Sequence, residues 1–273
     1  MASDTAKKHP WHMVEPSPWP IVGSLGAFVM ATGAIWYMHG GPILGLLAGL
    51  LLLLGCMFCW WRDVIREAEG GVDHTQAVRH GLRVGMILFI ASEVMFFFAF
   101  FWAYFNASMP VLSFVASEQW PPEGIVPLKT WEIPFFNTLT LLLSGVTVTW
   151  AHEALRNGDR EQMFKGLVMT VVLGIIFLGF QVYEYAQADF KLTDGIYPST
   201  FYLATGFHGF HVFVGTVFLT VCAFRARAGH FTPDHHVGFE AAAWYWHFVD
   251  VVWLLLFSSV YWWGSFGYDF SMS

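Results

Sequence analysis

Read from its first residue, the chain alternates between long apolar runs and short polar or charged segments. A helix needs about 20 mostly apolar residues to cross the hydrocarbon core of a bilayer. Seven runs qualify: 20–38, 43–61, 82–105, 134–152, 164–186, 199–224 and 241–263. The pattern predicts an all-α integral membrane protein with seven transmembrane helices. Trp19, Trp36, Trp60, Trp61, Trp102, Trp150, Trp262 and Trp263 fall near the ends of these runs, where interfacial anchors belong.

The polar connections refine this picture. Spans 1 and 2 are joined by the short "HGGP" turn, so residues 20–61 form an antiparallel hairpin after a polar tail, 1–19. The charged stretch "RDVIREAEGGVDHTQAVRHGLR" follows, and its part 62–81 is expected to lie against the inner membrane surface. The remainder, 82–273, holds five spans. Its loop 106–133 contains "WPPEGIVP", whose prolines and glycine predict a turn-rich cap. Glycines at 145, 166, 174, 179, 206, 209 and 215 are expected to let spans 4 to 6 approach closely.

Composition agrees with a membrane protein. The 273 residues are 56% hydrophobic, 19% aromatic and only 12% charged, against about 25% charged in soluble domains. A net charge of −7 with no basic patch excludes a nucleic-acid partner. Cys56 and Cys59 form a C-x-x-C pair, but inside the apolar run "LLLLGCMFCWW" they read as inert packing thiols. The first 19 residues show no secretory signal pattern.

Orientation follows from Lys and Arg. Lys7, Lys8, Arg62, Arg66, Arg79, Arg83, Arg156, Arg160, Lys165, Arg225 and Arg227 fall on one side, and only Lys129 and Lys191 on the other. The N-terminus is therefore expected on the cytoplasmic or matrix side, with the C-terminus outside.

Ionisable residues inside spans are costly and usually face a protein interior or a functional site. Glu93 lies ten residues after Arg83, about 15 Å along a helix. It should be protonated or hydrogen-bonded, and two readings stay open: a proton-handling carboxyl, or a neutral acid bonded to a neighbouring helix. His208 and His211, spaced i, i+3, could bind haem, copper or zinc with help from Glu184 or His247; interhelical hydrogen bonding is the alternative. In the last span, Glu240 and His247 nearly superimpose on one helical face, and Asp250 stands about 60° away. His247 and Asp250 could pair. Together, Glu184, His208, His211, Glu240, His247 and Asp250 read as a buried polar seam, with no nucleophile, phosphate cradle or complete metal set. A retinal-type protein is excluded because the last span holds no lysine for a Schiff base, and no repeated half points to a secondary transporter.

The strings "WWRDVIRE", "GLRVGMILFIASEVMFF", "WPPEGI", "NTLTLLLSGVTVTWAH", "FYLATGFHGFHV" and "HVGFEAAAWYWHFVDVVWL" closely resemble subunit III of the haem–copper cytochrome c oxidases, in its seven-helix mitochondrial and alpha-proteobacterial form. The likeness covers nearly everything from 60 to 263. Glu153 departs from it, since many relatives carry a second His after "TWAH".

The resemblance implies a subunit of an enzyme that passes electrons from cytochrome c to oxygen and translocates protons, with no catalytic centre, metal or cofactor of its own. Haem a, haem a3, CuA and CuB would reside in partner subunits I and II, with direct packing on subunit I and contacts to small accessory subunits. It implies a bacterial or mitochondrial inner membrane, and a two-helix hairpin splayed from a five-helix bundle around a V-shaped cleft of phospholipids. By matched positions, lipid head groups would meet Trp61, Arg66, Glu67, His74, Arg83 and Arg225. Glu93 would be the family's carbodiimide-reactive glutamate. Protection against turnover inactivation, support of proton uptake and oxygen delivery through the cleft are the implied roles. The related quinol-oxidase subunit usually lacks the first two helices; an autonomous membrane metalloprotein using His208, His211, Glu184 and His247 is the reading from another class.

Overall fold

The computed structural model describes residues 10–70, 74–109, 111–112 and 119–269. Their helices run in the order α1 (Trp19–Met38), α2 (Leu44–Gly70), α3 (Gln76–Ser108), α4 (Ile133–Arg156), α5 (Arg160–Gln187), α6 (Ile196–Arg227) and α7 (Val237–Leu256). A seven-residue π-helix (Phe257–Trp263) continues α7 into the short α8 (Gly264–Asp269). Seven of these segments are long and apolar enough to cross a membrane, one for each predicted span. The chain divides into two compact units, Met1–Leu82 and Arg83–Ser273.

In the first unit, α1 and α2 form the hairpin that the short turn predicts. Gly40 takes a left-handed φ of 85° at that turn, a conformation cheap only for glycine. The two helices meet backbone to backbone: a Cβ on Gly33 would collide with the main chain of Gly45 and Leu46, and one on Gly49 with that of Met30. Small residues are what allow such approach in a membrane. Trp19 Nε1 donates to Asp63 Oδ2 at 2.7 Å, tying the open end, and the Cys56 thiol donates to the Trp19 carbonyl at 3.3 Å. Cys56 is buried and both cysteines of the pair are free.

The expected surface stretch 62–81 is largely helical. Residues 62–70 extend α2 and 76–81 open α3, while 71–73, like Lys7 and Lys8 of the tail, lie outside the described residues. The apolar run stops at Trp61, but "RDVIREAE" contains good helix formers and no proline, so the helix continues after the hydrophobic pattern ends.

In the second unit, the core of α4–α7 is built around two fully buried tryptophans. Trp246 Nε1 donates to Ser144 Oγ at 2.8 Å, and Trp253 Nε1 to Thr138 Oγ1 at 2.9 Å, so each indole fixes α7 to α4. Gly174 of α5 and Gly215 of α6 make room for the Trp246 ring, and Gly166 packs on Ala151. The expectation for glycines holds at 145, 166, 174 and 215. It fails at 179 and 209, which face open space, and at 206, whose nearest neighbour is the Tyr185 hydroxyl. Those three lie on outer faces of their helices. Conversely, the closest backbone approach is in the hairpin, at positions the sequence reading did not single out.

Helix α3 contributes Phe97 and Tyr104 to the same core. Tyr104 donates to the Ser259 carbonyl at 3.2 Å and accepts from Trp120 Nε1 at 3.1 Å. Thr130 donates to the Tyr261 carbonyl, so the described parts of the 106–133 loop pack onto the bundle end. Asp159 caps α5, accepting from the Gln162 backbone N–H at 3.0 Å; that bond holds its carboxyl below the usual carboxylate range.

Candidate functional site

The ionisable residues expected in one seam fall into separate clusters, each joining different helices. In the first, Glu93 Oε2 of α3 stands 2.8 Å from His211 Nε2 of α6. His211 Nδ1 lies 2.6 Å from the Phe207 carbonyl. A carbonyl only accepts, so Nδ1 carries a hydrogen, and the Glu93–His211 contact holds a single shared proton. Rings of Phe96, Phe97 and Tyr245 surround the imidazole.

The second cluster is Glu184 on α5, whose Oε1 accepts from Tyr261 at 2.6 Å and from Gln181 Nε2 at 3.2 Å. Tyr261 comes from the π-helix; the extra residue per turn turns its hydroxyl inward, a common role for such segments. Glu184 Oε2 and Gln181 Oε1 are buried without a partner.

His208 lies a turn from His211 but shares nothing with it. It is fully buried, neither ring nitrogen has a hydrogen-bond partner, and its ring is walled by Phe97, Phe177 and Trp253.

In α7, Arg83 Nε donates to Glu240 Oε2 at 2.8 Å, linking α3 to α7. His247 Nδ1 lies 3.4 Å from Asp250 Oδ2, and its Nε2 is 3.1 Å from Thr149 Oγ1 of α4. Asp250 is buried; a Cβ on Gly145 would overlap its carboxylate, so the glycine makes the space that the acid fills. The reading of a buried seam needs correction at His247, whose side chain is 46% exposed, whereas Glu240 turns to Arg83 and is 17% exposed. The two lie a heptad apart on α7, but only Glu240 is covered by a neighbouring helix.

The positions expected to meet lipid head groups are placed as follows. In the first unit, Trp61 and Arg66 are exposed, Arg66 lies 3.9 Å from Asp63, and Glu67 and His74 both neighbour His12. In the second, Arg83 is held by Glu240. Arg225 stacks over Phe231 at 4.6 Å, with its Nε buried and unpartnered.

Sequence reasoning missed Thr149, Tyr261, Gln181 and the Trp246–Ser144 contact. Thr149 sits in "TVTW" without any distinguishing signal, and Tyr261 becomes a partner only through a π-helix that no periodicity announces. Among the described residues, no three His, Cys, Asp or Glu side chains stand together as metal ligands would.

A family model described as cytochrome c oxidase subunit III matches residues 9–265. The chain belongs to the cytochrome c oxidase subunit III family. Curated relatives named cytochrome c oxidase subunit 3 agree over nearly their whole length. The one from Marchantia polymorpha is 58% identical over 95% of this chain and 98% of the relative. That from Arabidopsis thaliana is 57% identical with the same coverage. That from Branchiostoma lanceolatum is 53% identical over 94% and 98%. Membership makes the chain a non-catalytic, membrane-embedded subunit of cytochrome c oxidase. The imidazoles and acids at depth do not converge: Glu93 pairs with His211, Glu184 with Tyr261 and His247 with Asp250, while neither ring nitrogen of His208 has a partner.

Proposed function

We propose that this subunit III is the non-redox, lipid-binding component of a proton-pumping aa3-type oxidase in a bacterial or mitochondrial inner membrane. It packs on subunit I, next to subunit II, and leaves haem a, haem a3, CuA and CuB to those partners. The observation that carries this reading is the division of the candidate ligands. His211 is engaged by Glu93, His247 by Asp250 and Thr149, and Glu184 by Tyr261 and Gln181, while His208 is closed in by aromatic rings. A metalloprotein built on His208, His211, Glu184 and His247 would need them convergent.

In this reading Trp61, Arg66, Glu67, His74, Arg83 and Arg225 serve phospholipid head groups. Arginines at the ends of spans attract anionic phosphate. The excess of Lys and Arg puts the N-terminus on the cytoplasmic or matrix side. Glu93, with its shared proton, is the carbodiimide-reactive carboxyl. Ordered lipid beside the catalytic subunit supports proton uptake there, offers apolar oxygen a hydrocarbon route, and keeps the catalytic subunit from inactivating during turnover.

The test is to purify the oxidase with and without this chain. Loss of the subunit should shorten the lifetime of the enzyme under turnover several-fold while the initial rate falls much less. An unchanged lifetime, or stoichiometric haem, copper or zinc bound to the isolated chain, would overturn the reading.

A further inference from the structure

The bundle of the second unit has outward faces of two kinds. Along α5, Val168, Val172, Ile175 and Ile176 are exposed, and along α6, Phe210, Phe213, Val217 and Phe224. Both faces are suited to lipid tails. The face shared by α4 and α7 differs. It carries Leu143 and Val146 from α4 and Val251 and Leu255 from α7, but it also carries Thr149 and His247, both exposed. His247 lies ten residues into α7, about 15 Å along the helix, and Thr149 seven residues before the end of α4. Among the described residues of this unit more than two turns from a span end, His247 is the one ionisable side chain left exposed.

Three other ionisable groups at depth are roofed by their own chain, His211 by phenylalanines and Tyr245, His208 by Phe177 and Trp253, and Glu184 by Tyr261, and Glu93, its side chain 21% exposed, is engaged by His211. The His247–Asp250 pair has no such roof. Its acid is wedged against Gly145, and its Oδ1 is buried without a partner. The imidazole that completes the pair is the outermost layer. An imidazole–carboxylate pair presented to hydrocarbon at this depth is costly, and in membranes such groups are covered by protein. Hydroxyls and polar side chains across helix interfaces are the usual cover.

We infer that the α4–α7 face, centred on Thr149 and His247, is where a membrane-spanning helix of another oxidase subunit docks, presenting a hydrogen-bonding side chain over the imidazole. The α5 and α6 faces remain with lipid. This deepens the reading of the chain as a packed oxidase subunit and rests on it.

The test uses the assembled oxidase. A photoreactive benzophenone amino acid is placed singly at Val251, Leu143 or, as the contrasting face, Ile176; the complex is purified, irradiated, and the products identified by mass spectrometry. Crosslinks from Val251 and Leu143 to a membrane-spanning segment of another oxidase subunit, with lipid adducts alone from Ile176, are the expected result. Lipid adducts alone from Val251 and Leu143, crosslinks to a second copy of this chain, or subunit crosslinks from Ile176 instead would overturn the inference. His247→Leu gives an independent reading. On a lipid-facing surface leucine would leave retention unchanged or improve it, and that outcome also counts against the inference. At a helix interface it should raise loss of the subunit during detergent washing several-fold. If the unsubstituted chain does not co-purify with an oxidase at all, the proposed function fails first, and the two failures are thereby distinguished.

Discussion

Glu93 of α3 and His211 of α6 share one proton across 2.8 Å, because the Phe207 carbonyl has already fixed the hydrogen on the other imidazole nitrogen. The pair either is a neutral acid donating to the ring or an imidazolium donating to a carboxylate. Carbodiimides attack the protonated acid. Glu93→Gln should abolish labelling by a hydrophobic carbodiimide at this site. His211→Phe, which removes the proton's alternative resting place, should keep the label and speed it several-fold. Rates of incorporation followed by peptide mass spectrometry check both. Slower labelling in His211→Phe would mean that the imidazole promotes the reaction rather than competing for the proton.

Gly145→Ala should be disruptive for a specific reason. The added methyl would occupy space held by the Asp250 carboxylate, which is confined between α4 and α7 and cannot simply swing away. Overpacking of this kind costs about 1–3 kcal/mol. A thermal midpoint lower than wild type is the expected outcome. Gly179→Ala, at an open position in α5, should leave it unchanged or raise it slightly.

Trp246→Phe removes the donor to Ser144 and part of a ring that fills the space left by Gly174 and Gly215. Loss of a buried hydrogen bond, with Ser144 Oγ left only its bond to the Leu141 carbonyl, adds to the cavity. The expected destabilisation is about 2–4 kcal/mol, measured by denaturant or thermal unfolding in detergent.

Asp159 supplies a pH dependence whose sign is fixed. Its folded-state pKa is depressed, first of all by the Gln162 backbone N–H. Its contribution is therefore present above the unfolded carboxyl pKa and is lost as pH falls through the folded value. Asp159→Ala should lower the thermal midpoint at neutral pH, and the gap to wild type should close on acidification. A gap that stays constant would show that the cap works through shape rather than charge.

The seven crossings were legible because an apolar run of span length has few other readings. Their ends were less so: α2 runs on to Gly70 through charged residues, since hydropathy marks where hydrocarbon ends and not where a helix does. The i, i+3 pairing of His247 with Asp250 could be read because both lie on one helix. Glu93 with His211, and Glu184 with Tyr261, join helices far apart in the chain, and no local spacing encodes them. The exposure of His247 was illegible for a related reason. A helical wheel reports which residues share a sector, and only the neighbouring helices decide whether that sector is covered.

The glycine contacts between α1 and α2 bear on biogenesis. Since Gly33 and Gly49 let these two helices touch main chain to main chain, their cohesion depends on nothing synthesised later. The pair can leave the translocon as a finished unit, already interlocked, before the ribosome has made the remaining spans. Assembly would then begin from a preformed N-terminal module, and bulky replacements at those two glycines would be felt first as failed pairing of the two helices rather than as a slow enzyme.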